Sequence, residues 1–140
     1  MLRSIIAVTI GVLIGSCIVI FASFIVMQMV PVPADIDPNA RDVMKKLPLA
    51  NQIGVILVWF FGTFSGALAA GFIGRRWAPA IWVVAATMAL FAISNLASYP
   101  PPFWMAAATL GLIGGGGFSA VKLTKAGYGK PVEGAPRPGL

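Results

Sequence analysis

The sequence predicts an all-α protein: a membrane-spanning four-helix bundle with a short periplasmic interfacial helix and both termini in the cytoplasm. Three observations predict it. Of 140 residues, 59% are hydrophobic and only 10% charged, with a mean hydropathy of +0.91, whereas a soluble domain is roughly a quarter charged. The apolar residues gather in four blocks, near 5–30, 49–74, 79–97 and 102–121, each close to the ~20 residues that carry a helix across ~30 Å of hydrocarbon. The basic residues fall between these blocks, not inside them. A membrane β-barrel is excluded, because its strands alternate polar and apolar over ~10 residues. Residues 1–125 therefore read as one four-span transmembrane domain and 126–140 as a Pro/Gly-rich cytoplasmic tail.

The first block follows Arg3 and contains "IGSC", Ile14 to Cys17, which has the form of a lipoprotein processing site. The apolar run continues past it to Val30, well beyond a signal core of roughly 7 to 15 residues. It reads as an uncleaved span. Cys17 is the single cysteine, so no internal disulfide forms, and a packing role is expected for it.

The first loop holds "DIDPNARDVMKKLP". Asp37 before Pro38 has the form of an N-cap and first helical position. Lys45 and Lys46 suit the last turn, where the helix dipole favours cations, and Pro48 ends the element. A helix over 38–47 is expected, with Val43, Met44 and Leu47 on one face lying on the membrane surface. Asp35, Asp37 and Asn39 also have the spacing of a calcium loop, but Ala40 and Lys46 stand where that loop needs glycine and glutamate. No metal site is predicted.

The second block carries "GTFSGALAAGFIGRR". In lipid, helices associate through close van der Waals contact, which small residues permit. Gly54, Gly62, Gly66, Ala70 and Gly74 form one row of small residues, with Thr63, Ala67 and Gly71 in a neighbouring row. The first block offers Ala7, Gly11, Gly15 and Ser23, the third Ala85, Ala86, Ala89 and Ala92, and the fourth Ala107, Gly111 and Gly115 beside Gly114, Gly116 and Gly117. The predicted packing interface is Gly11, Gly15, Gly62, Gly66, Ala70, Gly74, Gly111 and Gly115. Most of it should build the internal core, while two adjacent small rows on one helix suggest a further partner helix. The run Gly114 to Gly117 lacks the strand before it and the Gly-Lys-Ser/Thr after it that a phosphate loop requires. Close backbone contact or a bend is its expected use.

Charge placement sets the topology. Arg3, Arg75, Arg76, Lys122, Lys125, Lys130 and Arg137 fall on one side, and Arg41, Lys45 and Lys46 on the other with Asp35, Asp37 and Asp42. Seven basic residues against three put both termini inside by the positive-inside rule. The net charge of +6 is thus a topology signal before it is a nucleic-acid one, and no nucleic-acid partner is expected. Arg75, Arg76, Lys122 and Lys125 are placed to meet lipid headgroups, at about 1 kcal/mol per basic residue.

Catalysis finds few groups to use. The chain has no histidine, hence no common general base, metal ligand or haem ligand. No acidic or basic residue occupies the middle of a block, which argues against proton relays and ion pumps. Asn95 and Gln28 sit near the outer ends of their helices, where water satisfies them, and the methionines read as gap fillers. Trp77, Trp82, Tyr99, Phe103, Trp104 and Tyr128 mark the two interfaces. Trp59, Phe60 and Phe61 lie deeper and face lipid. No cofactor is predicted, although a bound lipid, quinone or pigment would lie against such aromatic faces.

The succession of a glycine-bearing first helix, "PVPADIDP", "GTFSGALAAGFIGRR", "SNLASYPPPFW" and a small-residue last helix resembles uncharacterised small four-transmembrane-helix bacterial inner-membrane proteins, a hypothetical-protein group. The likeness runs to about Lys125 and implies the four-span topology in a bacterial inner membrane, with no activity to carry over. The second helix here begins "NQIG", with no histidine, so a site built there by relatives is not transferred. The tail "GYGKPVEGAPRPGL" has no apolar pattern and should be disordered alone, unless the cytoplasmic surface of a larger assembly clamps it. The expected function is therefore non-catalytic: an accessory, assembly or stabilising subunit of a larger bacterial membrane complex, respiratory or photosynthetic, with membrane lipid and other transmembrane subunits as partners. The alternative is a small homo-oligomeric pore or carrier for a neutral or lipophilic solute. A membrane enzyme of the glutathione-transferase-like four-span type lacks the charges to bind its polar cosubstrate.

Overall fold

The computed structural model describes residues 2–37 and 39–129. It is all-helical over them, with α1 (Leu2–Met29), α2 (Val43–Lys46), α3 (Leu49–Ile73), α4 (Ala78–Ser98) and α5 (Phe103–Thr124). Four of these, all but α2, are long and apolar enough to cross a membrane. Each begins or ends where the sequence offers punctuation. Pro48 and Pro102 precede α3 and α5, Pro79 occupies the first turn of α4, and Lys125 closes α5 in a left-handed conformation with φ 52°.

α3 and α4 share the centre, and α1 and α5 lie at opposite corners against them. Ala70, Trp59, Val84, Met88, Ala92 and Ile113 form the main core, and Ala67, Ile81 and Ala120 a second cluster. α3 is the hub because it is small on two sides. α1, by contrast, buries only Ala7, Gly11 and Gly15, a narrow seam that leaves its bulky Ile, Leu and Phe side chains outward.

Arg3, Gly127 and Tyr128 close one pole of the bundle. Arg3 Nε donates to the Ile73 carbonyl at 2.9 Å, satisfying one of the last carbonyls of α3 that no helical N–H reaches. Gly127 N donates to the Arg76 carbonyl and Ala78 N to the Gly127 carbonyl, both at 2.9 Å. Trp82 Nε1 donates to the Tyr128 hydroxyl at 3.0 Å. Gly127 and Tyr128, near the start of the predicted tail, are thus held by the bundle itself. The rest of the tail, with Lys130 and Arg137, lies outside the described residues.

The first loop differs from the expectation. Pro38 lies outside the described residues, and the helix found in this loop is only Val43–Lys46. Asp37 caps a turn instead: its Oδ1 accepts from Asn39 N at 2.9 Å. Asp42 stands at the N-cap position, and its carboxylate pairs with Lys46 Nζ at 2.9 Å. Val43 is buried, and Met44 and Leu47 help to wall a cavity at the bundle end. This apolar face is therefore turned onto the protein, because the open ends of α1 and α3 offer it a drier surface.

Candidate functional site

Two features stand out, a glycine seam and a cavity at the end of the seam. In the seam α1 and α3 run antiparallel with residues paired in one continuous register. A Cβ on Gly74 would stand 3.5 Å from the Ala7 Cβ; one on Gly11 would stand 2.7 Å from the Gly66 oxygen and 2.9 Å from the Ala70 Cβ; one on Gly15 would stand 2.9 Å from the Gly62 oxygen. Further along, Gly62 accommodates Val19, and Gly54 accommodates Val26, whose Cγ1 would be 2.6 Å from an added Cβ. Six of the eight predicted packing residues, Gly11, Gly15, Gly62, Gly66, Ala70 and Gly74, therefore meet in this one seam.

The neighbouring row on α3 is also occupied within the chain. Gly71 packs on Ile81 and Thr124, and Ala67 on the cluster with Ala120. The second small row thus serves α4 and α5, which removes the reason it gave for a partner helix. Gly111 and Gly115 correct the expectation in another way. A Cβ on either, or on Gly114, meets nothing within 4 Å. The glycines of α5 that meet its neighbours are Gly116, where an added Cβ would stand 3.3 Å from the Phe60 oxygen and the Phe64 nitrogen, and Gly117, where one would stand 3.0 Å from the Ala85 Cβ. The row through Gly111 and Gly115 runs down the outer side of α5, whose inner face is also spaced by four but in another register, through Met105, Thr109, Ile113 and Gly117 with Gly116, Ala120 and Thr124 beside it. The helix stays continuous through all four glycines.

Two other expectations are corrected. Cys17 is exposed on the outer face of α1 rather than packed. Trp59 is buried at 8% exposure in the core rather than facing lipid, although Phe61 does face outward, edge-on to Phe60 at 5.3 Å.

The cavity, of about 240 Å³, lies between the Val19 to Met27 stretch of α1, the first turns of α3 and Asn95 of α4, with Val32, Met44 and Leu47 of the first loop above it. The polar pair that opens α3 holds that loop. Gln52 Nε2 donates to the Met44 carbonyl at 3.1 Å and the Leu47 carbonyl at 2.9 Å. Asn51 Nδ2 donates to the Val30 carbonyl at 2.7 Å. Asn51 and Gln52 are both buried, at 3% and 7% exposure. One polar atom is left over: Asn51 Oδ1 is buried with no hydrogen-bond partner, and the Val30 carbonyl fixes which end of the amide is the oxygen. Sequence reading missed this site because two amides at the start of a span look like interfacial residues satisfied by water. The signal available was "NQ" within a block otherwise free of such groups.

At the opposite pole Arg75, Arg76, Lys122 and Lys125 gather as the antiparallel topology requires. Arg75 and Arg76 both adopt left-handed backbone, with φ 54° and 61°. Lys122 Nζ lies 4.8 Å from the centre of the Phe118 ring, a cation–π distance. Among the described residues no three His, Cys, Asp or Glu side chains group as a metal site. No protein-family model, curated protein or solved structure matches this chain.

Proposed function

We propose that this chain is a non-catalytic integral membrane protein acting by helix packing, an accessory or stabilising subunit of a larger membrane complex. The observation that supports this is the outward row on α5. Gly111, Gly114 and Gly115 meet open space, with Ala107 also exposed on that helix. Glycine costs a helix about 1 kcal/mol against alanine, and lipid itself asks for no small residues, whereas a neighbouring helix does. A transmembrane helix of another subunit is the occupant this face suits. In this reading the complex belongs to a bacterial inner membrane, respiratory or photosynthetic, with both termini cytoplasmic and the Arg75, Arg76, Lys122 and Lys125 pole against the headgroups.

Site-specific photocrosslinking from positions 111 and 115 in native membranes tests it. A distinct polypeptide, crosslinked from both positions and lost in Gly115→Leu, is the expected result. Crosslinks to a second copy of the chain would favour the alternative, a homo-oligomeric pore or carrier. Any such path would run between protomers, because Ile81, Met88, Met105 and Ile113 fill the interior. Crosslinks to lipid only would end the accessory reading. Thiol labelling of single cysteines placed in the first loop and after α5 reads the orientation.

A further inference from the structure

We infer that the cavity beneath the first loop is a lateral binding site for one acyl chain of a membrane phospholipid. The inference rests on the four apolar spans and not on the accessory role. Its first support is where the cavity opens. α3 forms the back wall with Val55, Val58 and Trp59, α1 forms one side and the first loop the roof, while α4 contributes Asn95 and α5 nothing. α4 meets α1 through Val84 at Gly11 and Met88 at Gly15, which leaves Asn95 as its one lining residue nearer the loop. Met27 and Asn95 are exposed, whereas Trp59 at the back is buried. The mouth therefore lies between α1 and α4, at the level of the spans, and faces lipid.

Shape and chemistry select the occupant. The walls run about 12 Å along α1, from Val19 to Met27, and as far along α3, from Asn51 to Trp59. A volume of about 240 Å³ over that length averages ~5 Å across, which suits a single hydrocarbon chain whose carbons touch the walls at ~3.5–4.0 Å. Trp59 lies about 15 Å along α3 from Leu49, half of the ~30 Å hydrocarbon core. The cavity is thus as deep as one leaflet. No charged side chain lines it, so an ionic ligand would lose its hydration with no counter-charge to replace it. An apolar void stays dry and its lining forfeits dispersion contacts, and the chains of the surrounding leaflet are the apolar groups at its mouth. Asn95, within a turn of the end of α4 at Ser98, stands where such a chain joins its ester, and its amide is a donor for the ester carbonyl.

The test uses the full chain in phosphatidylcholine vesicles, with Trp77, Trp82 and Trp104 replaced by phenylalanine so that Trp59 alone reports. Part of the lipid is exchanged for phosphatidylcholine whose stearoyl chain carries two bromines at mid-chain, because bromine quenches tryptophan only at close range. Quenching of Trp59 in proportion to the brominated fraction is expected, as a single exchanging site requires. Val55→Phe fills the cavity from α3 and should abolish the quenching. Ser23→Leu narrows it from α1, so that the result does not hang on the folding of one variant, and should weaken the quenching. Leu90→Phe, on the exposed face of α4, should leave it unchanged. Absence of quenching in the unaltered cavity, quenching undiminished in Val55→Phe or Ser23→Leu, or an equal loss in Leu90→Phe would each overturn the assignment. Quenching by added bromobenzene with none by the brominated lipid would also overturn it, giving the cavity to a small free molecule instead.

Discussion

Gly11 and Gly66 touch backbone to backbone: a methyl group added at Gly11 would lie 2.7 Å from the Gly66 carbonyl oxygen. Neither helix can yield there without opening the register from Ala7 and Gly74 to Val26 and Gly54. Gly11→Ala or Gly66→Ala should therefore destabilise the bundle by about 1 to 3 kcal/mol, the range for overpacking. Gly111→Ala, where the added methyl meets open space, should be neutral or stabilising by up to about 1 kcal/mol. Unfolding in dodecyl maltoside by titrated sodium dodecyl sulfate checks both; equal effects at 11 and 111 would refute the seam.

Gln52 is buried and bridges two loop carbonyls. Gln52→Leu leaves those carbonyls without their donor and should cost about 1 to 3 kcal/mol. The loss should be local. Hydrogen exchange ought to quicken at residues 43–47 while the α1–α3 seam keeps its protection.

Thr63 is fully buried and its hydroxyl has no partner. Thr63→Val removes that unpaired group at nearly constant volume, so a gain of about 1 kcal/mol is expected. A lowered melting temperature would show that the hydroxyl has a partner after all.

Arg76 sits at φ 61°, with its N–H donating to the Gly71 carbonyl at 2.7 Å and its carbonyl accepting from Gly127. A left-handed conformation costs a side-chain-bearing residue roughly 1 to 2 kcal/mol. Arg76→Gly should raise the melting temperature, and Arg76→Val, branched at Cβ, should lower it. The two variants lose the same charge, so their difference reports the backbone.

Asp42 is held below the 3.8 of an ordinary aspartate, first by its hydrogen bond from Lys46 and then by the charges of Lys46 and Lys45. A depressed folded value means that the pairing contributes stability above the unfolded value and loses it as pH falls through the folded one. The carboxylate is exposed, so the consequence is local: the carboxyl resonance of Asp42 should titrate below the ordinary midpoint and return to it in Lys46→Ala.

The sequence by itself determined the class, the four spans and the small faces of α1 and α3. These are properties of single segments: hydropathy over some twenty residues, and glycines repeated every four, survive any arrangement of the helices. The Gly11, Gly15, Gly62 and Gly66 seam was legible because close approach is the main use a lipid-embedded helix has for lost bulk. Only the tertiary structure decided that Gly116 and Gly117, not Gly111 and Gly115, meet α3 and α4. A glycine has no side chain to mark a direction, so four in succession leave the helix face undetermined until its neighbours are placed. It also decided that Asn51 and Gln52 turn inward. Their partners, Val30 and the carbonyls of Met44 and Leu47, are backbone atoms, which carry no signature in the sequence and acquire an address only when the chain folds.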